Sequence, residues 1–317
     1  FLMLVYIFKR IGLGMLVLVL AISSLYILIQ AAPGDPASAM LGPRATPSLK
    51  AAITEKLGLD KPMPVQVFNY LTSVLQGDLG TDLKTKQPVL DTLKIHLPRT
   101  LELLGASLLI SVALGIPLGC IAAVRRNSFF DRAVGMLSVS MIAMPAVIIA
   151  IFGMLIFAAG LGWVPAIGAG QDEGLLSRIH HLILPSIAVG AGWIGYIARL
   201  VRASMIEVLS TNYVRNARAF GLLEWRIIYR YALRIAVAPT ITVIGIGVGV
   251  MMGSAVFVEI VFARPGIGKM MYEAVILRNY PVSLGAVLAA SFILIVATTL
   301  SDILNALIDP RFLEEDE

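Results

Sequence analysis

The sequence predicts an all-α integral membrane protein with six transmembrane helices and both termini in the cytoplasm. Three observations lead there. Of the 317 residues, 58% are hydrophobic and 14% charged, with a mean hydropathy of +0.88. A soluble domain is roughly 45–50% apolar and about 25% charged. Second, six apolar runs are each long enough to cross a bilayer as a helix. Third, the basic residues gather on alternate connections between those runs. A soluble enzyme, a disordered chain and a nucleic-acid-binding domain are set aside on this composition. The net charge of +5 reads as membrane orientation.

A bilayer-crossing helix needs about 20 mainly apolar residues, each rising roughly 1.5 Å. The first run, 11–29, follows Lys9-Arg10. It is longer than the apolar stretch of a typical signal peptide, so it is expected to stay as a span. Residues 33–97 come next and are too many for a simple connector. Turn signals at Pro33-Gly34-Asp35, Pro62, Pro64, Gly77 and Gly80 surround two helix-like stretches there, 48–57 and 65–75. Further spans are expected at 101–124, 133–161, 182–205, 236–258 and 284–308. Pro117, Pro145, Pro185, Gly245, Gly247 and Gly249 fall inside these runs. Membrane bundles tolerate such residues, and small ones let helices approach closely. The expected division is a first segment and span at 1–32, an external segment at 33–97, and a membrane core at 98–317.

Lys9 and Arg10 precede span one, and Arg125, Arg126 and Arg132 lie between spans two and three. Arg199, Arg202, Arg215, Arg218, Arg226, Arg230 and Arg234 lie at and between spans four and five. With six spans these groups share one side, which the positive-inside rule makes cytoplasmic.

Catalytic chemistry finds little support. The histidines, His96, His180 and His181, fall in expected outside loops or at their edges, and Cys120 sits alone in an apolar stretch. Neither a zinc-protease motif nor a serine elbow occurs. Gly266-Ile267-Gly268-Lys269-Met270 lacks both the earlier glycine (Ala263 stands there) and the Ser/Thr of a phosphate loop. The chain is therefore expected to be no enzyme, to hold no metal and to bind no nucleotide itself. A carrier driven by an ion gradient would be the rival reading, and it would need ionisable groups at mid-membrane. Glu102 and Glu259 lie at outer span ends. Asp302 is the most intramembrane acid, suited to a proton relay or to a structural hydrogen bond.

The connection at 204–235 is the most informative. Ile206, Leu209, Tyr213, Ala217 and Phe220 recur at helical spacing, with Arg215 and Arg218 off that stripe. Gly221 is placed to stop the helix. A second periodic stretch follows, with Arg226, Arg230 and Arg234 every four residues beside Ile227, Tyr231 and Ile235. Two short amphipathic helices of this kind suit docking into another protein's groove, or lying on anionic lipid. Periodicity alone does not choose.

The run Tyr213-Val214-Arg215-Asn216-Ala217-Arg218-Ala219-Phe220-Gly221-Leu222, followed by Ala232-Leu233-Arg234 and Pro239, resembles the cytoplasmic "EAA" loop of binding-protein-dependent ABC importer permeases. Within them it is similar to the first permease of the dipeptide/oligopeptide/nickel branch. The resemblance covers nearly the whole chain. It takes in Pro33-Gly34-Asp35-Pro36, Leu57-Gly58-Leu59-Asp60, Gly77-Asp78-Leu79-Gly80 and Leu97-Pro98-Arg99-Thr100. It continues through Gly115-Ile116-Pro117-Leu118-Gly119, Pro265-Gly266-Ile267-Gly268, Tyr280-Pro281 and Asp309-Pro310-Arg311. This sequence departs from the branch at Tyr231, often histidine there, at Ile235, often asparagine, and at Asn279, commonly aspartate. Thr81-Asp82 is also unlike the usual continuation after Gly80.

The resemblance implies a permease subunit of the bacterial inner membrane that forms half of a pore for peptides. It also implies a second related permease, two cytosolic ABC ATPase subunits carrying the ATP and magnesium, and a periplasmic or lipid-anchored solute-binding protein. Membrane lipid is expected around it and nucleic acid is not. The coupling residues would be Glu207, Leu209, Tyr213, Arg215, Ala217, Arg218, Phe220, Gly221 and Arg226. Met141, Met144, Pro145, Met251, Met252 and Ser254 offer adaptable side chains for lining the pore, although methionine equally serves plain packing.

Overall fold

The computed structural model describes residues 2–31, 37–38, 46–57, 60–170 and 174–308. The expected motifs at Pro33-Gly34-Asp35-Pro36, Gly58-Leu59 and Asp309-Pro310-Arg311 lie outside the described residues. In chain order the helices are α1 (Leu2–Ala31), α2 (Pro47–Leu57), α3 (Met63–Leu75), α4 (Val89–Val124) and α5 (Phe129–Ala143). α6 (Ala146–Gly153) continues as a π-helical run, Met154–Gly160. Then come α7 (Leu175–Leu209), α8 (Asn212–Ala219) and α9 (Glu224–Arg226). A second π-helical run, Ile227–Ala232, leads into α10 (Leu233–Ala236). The chain closes with α11 (Ala238–Val261), α12 (Ile267–Ile276) and α13 (Tyr280–Ile308). Among the described residues the only extended pairing is an isolated bridge between Thr81 and Pro88.

Four helices, α4, α7, α11 and α13, are long and apolar enough to cross a membrane, and α5 with α6 makes a fifth if the bent pair is one span. The apolar part of α1, Gly12–Leu28, is shorter. Three local expectations need correction. The run 133–161 is not one straight helix but turns through 104° at Met144-Pro145. Proline has no N–H to give and disfavours helical backbone in the residue before it; Met144 is accordingly extended, at φ −86° and ψ 122°. Second, α4 and α7 begin well before their apolar windows, so His96, His180 and His181 sit in helices rather than loops. The polar start of α4 is amphipathic and buries Val89 and Leu93. Third, α12 occupies a stretch expected to be an outside loop.

The chain divides into two compact units, one of Phe1–Thr100 with Pro265–Val296 and one of Leu101–Arg264 with Ala297–Glu317. In the first, α1 packs on α3 through Ile22, Tyr26 and Val67, joined by Leu284 of α13. The Tyr26 and Tyr70 rings meet edge to face, 6.5 Å between centroids. The turn after α3 uses Gly77 and Gly80 in left-handed conformation. Asp82, at the end of that turn, is nearly buried. Its carboxylate accepts from the Lys84 and Thr85 backbone N–H groups, from the Thr85 hydroxyl at 2.9 Å and from the Asn279 side-chain amide at 2.7 Å. Burial pushes the Asp82 carboxyl up, yet these donors outweigh it and hold it below the ordinary value. The start of α12 is buried too: the Ile267 N–H donates to Thr100 Oγ1 at 2.8 Å.

In the second unit α7 is the central helix, and its neighbours approach it at glycines. A Cβ added at Gly119 of α4 would lie 2.4 Å from the Ala198 carbonyl oxygen, and one at Gly115 would lie 2.8 Å from Ile197. Gly195 of α7 abuts the Ser138 backbone of α5, and Gly190 accepts a hydrogen bond from Ser111 at 3.0 Å. Gly247 of α11 faces the Trp193 ring, and the Gly245 N–H donates to Ser301 Oγ at 3.2 Å. Lipid is as apolar as leucine, so helices in a membrane gain little by hiding apolar side chains from it; close backbone contact and hydrogen bonds hold them together instead. Gly115 and Gly119, four residues apart on one face of α4, supply that contact.

Two polar anchors complete this unit. Glu102 accepts from Arg178 of α7 and from Arg264, whose side chain is almost wholly buried, at 3.0 Å. At the start of α5, Ser128 Oγ caps the Asp131 N–H, and Asp131 accepts in return from the Asn127 N–H at 2.9 Å. Arg202 of α7 grips both oxygens of the same carboxylate.

Candidate functional site

The expected coupling segment begins where α7 ends. Ser210 and Thr211 each turn a hydroxyl back to a carbonyl of the last turn, at Glu207 and Val208, both at 2.7 Å. Side chains that satisfy the terminal carbonyls in this way end the helix. Thr211 is extended, and α8 starts at Asn212. The stripe from Ile206 to Phe220 is thus carried on two helices, not one.

The face of α8 that is buried is Val214 and Ala217. They join a core of Cys120 and Ala123 from α4, Ile197, Val201, Met205 and Val208 from α7, and Ile227, Ala232 and Ala236 beyond the elbow. Tyr213 (48% exposed) and Phe220 (86% exposed), which the periodicity groups with Ala217, stand in the open. Arg215, Arg218, Arg226 and Glu207 are also exposed, and Leu209 is half-buried. Periodicity fixes which residues share a face. It does not say which face the rest of the chain covers, and a small valine and alanine cover better here than a ring would.

The elbow is closed by two backbone bonds that run in the same direction. The Gly221 N–H donates to the Arg218 carbonyl at 2.9 Å and the Leu222 N–H to the Ala217 carbonyl at 3.2 Å. Gly221 itself is left-handed at φ +74°, and Leu222 turns back onto the core under α8. This is the glycine-terminated helix end that the sequence called for. Arg218 Nε donates to Glu224 at 2.7 Å across the elbow, tying α8 to α9. The hydrogen bond to Glu224 lifts the Arg218 guanidinium above its ordinary value.

Around the elbow lies an exposed patch that the periodic stripe did not include: Leu223, Trp225 and Tyr229. Arg226 stacks over the Trp225 ring at 5.4 Å, and the Tyr213 and Tyr231 rings lie 6.0 Å apart. Large apolar and aromatic side chains directly after a glycine elbow were the available signal.

The expected pore residues fall in two places. Met141, Met144 and Pro145 sit at the 104° bend between α5 and α6, with Met144 and Pro145 exposed and Met141 half-buried. On α11, Met251 and Met252 are buried, while Ser254 is half-buried and donates to the Val250 carbonyl at 3.3 Å. Among the described residues no three His, Cys, Asp or Glu side chains converge as metal ligands.

Comparison with known proteins places this architecture. The model of the binding-protein-dependent transport system inner membrane component matches residues 115–314. The model of the N-terminal part of such membrane components matches 3–104. A peptide permease protein by name, from Brucella suis biovar 1, is 38% identical over 308 residues, covering 95% of this chain and 96% of its own length. The glutathione transport system permease protein GsiC of Salmonella choleraesuis is 37% identical over 309 residues, 97% of this chain and 98% of its own. The dipeptide transport system permease protein DppB of Alkalihalophilus pseudofirmus is 34% identical over 330 aligned positions, 98% of this chain and 99% of its own. These matches, together with the helical bundle and its elbow, identify the chain: it belongs to the family of inner membrane components of binding-protein-dependent transport systems, as a permease subunit of an importer.

Proposed function

We propose that this chain forms half of a pathway carrying short peptides across the bacterial inner membrane, with the 204–235 connection as the socket for a cytosolic ATPase. The observation that carries the socket is the division of α8 into two faces. Val214 and Ala217 are fused to the ends of α4 and α7, while Tyr213, Phe220, Leu223 and Trp225 stand exposed around the Gly221 elbow. An exposed aromatic patch of that kind is a binding surface in want of a groove.

The proposed topology has six spans, with α1 as the first and the bent α5–α6 pair as the third. Both termini and the socket are cytoplasmic, and the 33–97 segment is external, beside the solute-binding protein. Its companions are a second related permease and two ATPase subunits, which hold the ATP and magnesium. When the ATPases close, a pull on the exposed face of α8 reaches α7 and α4 through the Val214–Ala217 core. ATP can only bias an equilibrium between inward- and outward-facing pores if contacts differ between the two; the socket is where that difference is felt. The names of the relatives, which speak of peptide, dipeptide and glutathione, support a short peptide as solute.

The decisive test is purification of the tagged chain in mild detergent. Recovery of an ATP-hydrolysing subunit and a second permease in fixed ratio, with peptide uptake that needs ATP, is the expected result. A chain that comes out alone and moves peptide in vesicles without ATP overturns the proposal.

A further inference from the structure

Helices α5 and α7 flank an open cleft of about 650 Å³ that has no part in the coupling elbow. Its walls are Asp131, Arg132 and Gly135 on α5 and Arg199, Arg202 and Ala203 on α7. Three arginines and one carboxylate therefore line it. That carboxylate is already committed, since Arg202 holds both Asp131 oxygens and the Asn127 N–H takes one of them as well. Arg132 and Arg199 are exposed, and among the described residues neither forms an ion pair. Arg126 adds a further positive charge within electrostatic reach of Asp131.

The small residues leave room for a ligand. A Cβ at Gly135 would meet nothing within 4 Å. The surroundings say what kind. Val139, one turn from Gly135 on the same face of α5, and its neighbour Met136 are 52% and 65% exposed. On α7, Tyr196 lies one turn from Arg199 and is 42% exposed. Tyrosine of this kind sits at the headgroup level of a bilayer. A cationic cleft that opens onto an apolar flank suits a ligand with an anionic head and apolar tails. A soluble phosphate would leave that flank unused.

We infer that this cleft binds the phosphate headgroup of an anionic phospholipid, with Arg132 and Arg199 as its main ligands and the acyl chains lying along α5. The leaflet, the cytoplasmic one, rests on the topology proposed above; the binding does not.

The test uses the assembled transporter in nanodiscs of phosphatidylcholine with added phosphatidylglycerol, with retained lipid counted by native mass spectrometry. Wild-type protein is expected to keep phosphatidylglycerol in preference to phosphatidylcholine. R132Q/R199Q should lower that preference by about tenfold or more. G135L, which fills the cleft without touching its charge, should do the same. Equal retention by wild type and both variants overturns the inference. So does stabilisation by inorganic phosphate in pure phosphatidylcholine without any preference for phosphatidylglycerol, which would make this a soluble-anion site. Lipid binding that appears only after the partner subunits are stripped away also overturns it, because the cleft would then belong to acidic groups of a partner. The leaflet is read separately, from labelling of R132C in a C120A background by an impermeant thiol reagent. Labelling from outside the cell would sink the topology and leave the lipid site standing.

Discussion

The side-chain amide of Asn279 donates a 2.7 Å hydrogen bond to the carboxylate of Asp82, joining the turn before α4 to the start of α13. Both positions stand apart in the resemblance drawn from the sequence, and the structure joins them directly. Aspartate at 279 would set a second carboxylate against a nearly buried first. The Asn279 amide oxygen is itself buried without a hydrogen-bond partner among the described residues, so a charge there would meet no donor. N279D should therefore destabilise the protein by about 1–3 kcal/mol at neutral pH. Thermal unfolding in detergent measures this, and D82N in the same chain should recover part of the loss.

The wild-type protein carries a matching pH signature. Asp82 titrates below its ordinary value in the folded state because of the donors around it. A group depressed on folding stabilises the protein above its unfolded pKa, about 3.9, and that contribution is lost as pH falls through the lower folded value. Unfolding temperatures from this source should be level from neutral pH down to about 5 and then decline. D82N should lower the neutral-pH value and flatten the acid decline. An unchanged acid slope would dismiss Asp82 as its source.

The glycines of α4 separate packing from propensity. G119A places a methyl group 2.4 Å from the Ala198 carbonyl oxygen, so α4 and α7 must part. A cost of about 1–3 kcal/mol, or loss of folded material in a size-exclusion profile, is expected. G105A, on the same helix with nothing within 4 Å, should be harmless or slightly stabilising. Equal behaviour of the two would mean that the crossing is not a close contact.

The elbow variants distinguish folding from coupling. F220A removes a ring that is 86% exposed, so the unfolding temperature should hold while association with the ATPase falls. A217R drives a charge into the core under α8 and should cost folded protein before any coupling can be measured. G221A has room for its methyl group but must hold a left-handed backbone, at about 1–2 kcal/mol. A surface pair such as Arg218–Glu224 contributes about 0–1 kcal/mol. R218E should thus fold normally yet weaken ATP-driven uptake, and R218E/E224R should restore it.

The apolar runs, the basic connections and the glycine stop at 221 were all legible in the sequence, because each follows from local chemistry. The amphipathic start of α4 and the short α12 were not, since a span search weighs only continuous apolar length. Pro117 and Pro185 leave α4 and α7 unbroken whereas Pro145 ends α5, and a single sequence ranks the three alike. The buried face of α8 lies beyond the reach of periodicity for a related reason. Tyr213, Ala217 and Phe220 do align, but the cover over Val214 and Ala217 is supplied by other elements, through Cys120 of α4, Val201 of α7 and Ile227 beyond the elbow. The Asp82–Asn279 bond spans 197 positions, and no local pattern announces a partner so far away.

The corner at Met144-Pro145 has a bearing on water. A helix interrupted by 104° strands the last carbonyls of α5 and the first N–H groups of α6, and Pro145 brings no hydrogen of its own to the repair. Hydrocarbon offers nothing to such groups, and a bilayer accepts irregular backbone only where protein or a wet cavity meets it. Met144 is exposed at that corner. Under the proposed topology, the bend is therefore a place where a neighbouring subunit or solvent, rather than lipid, would meet the backbone.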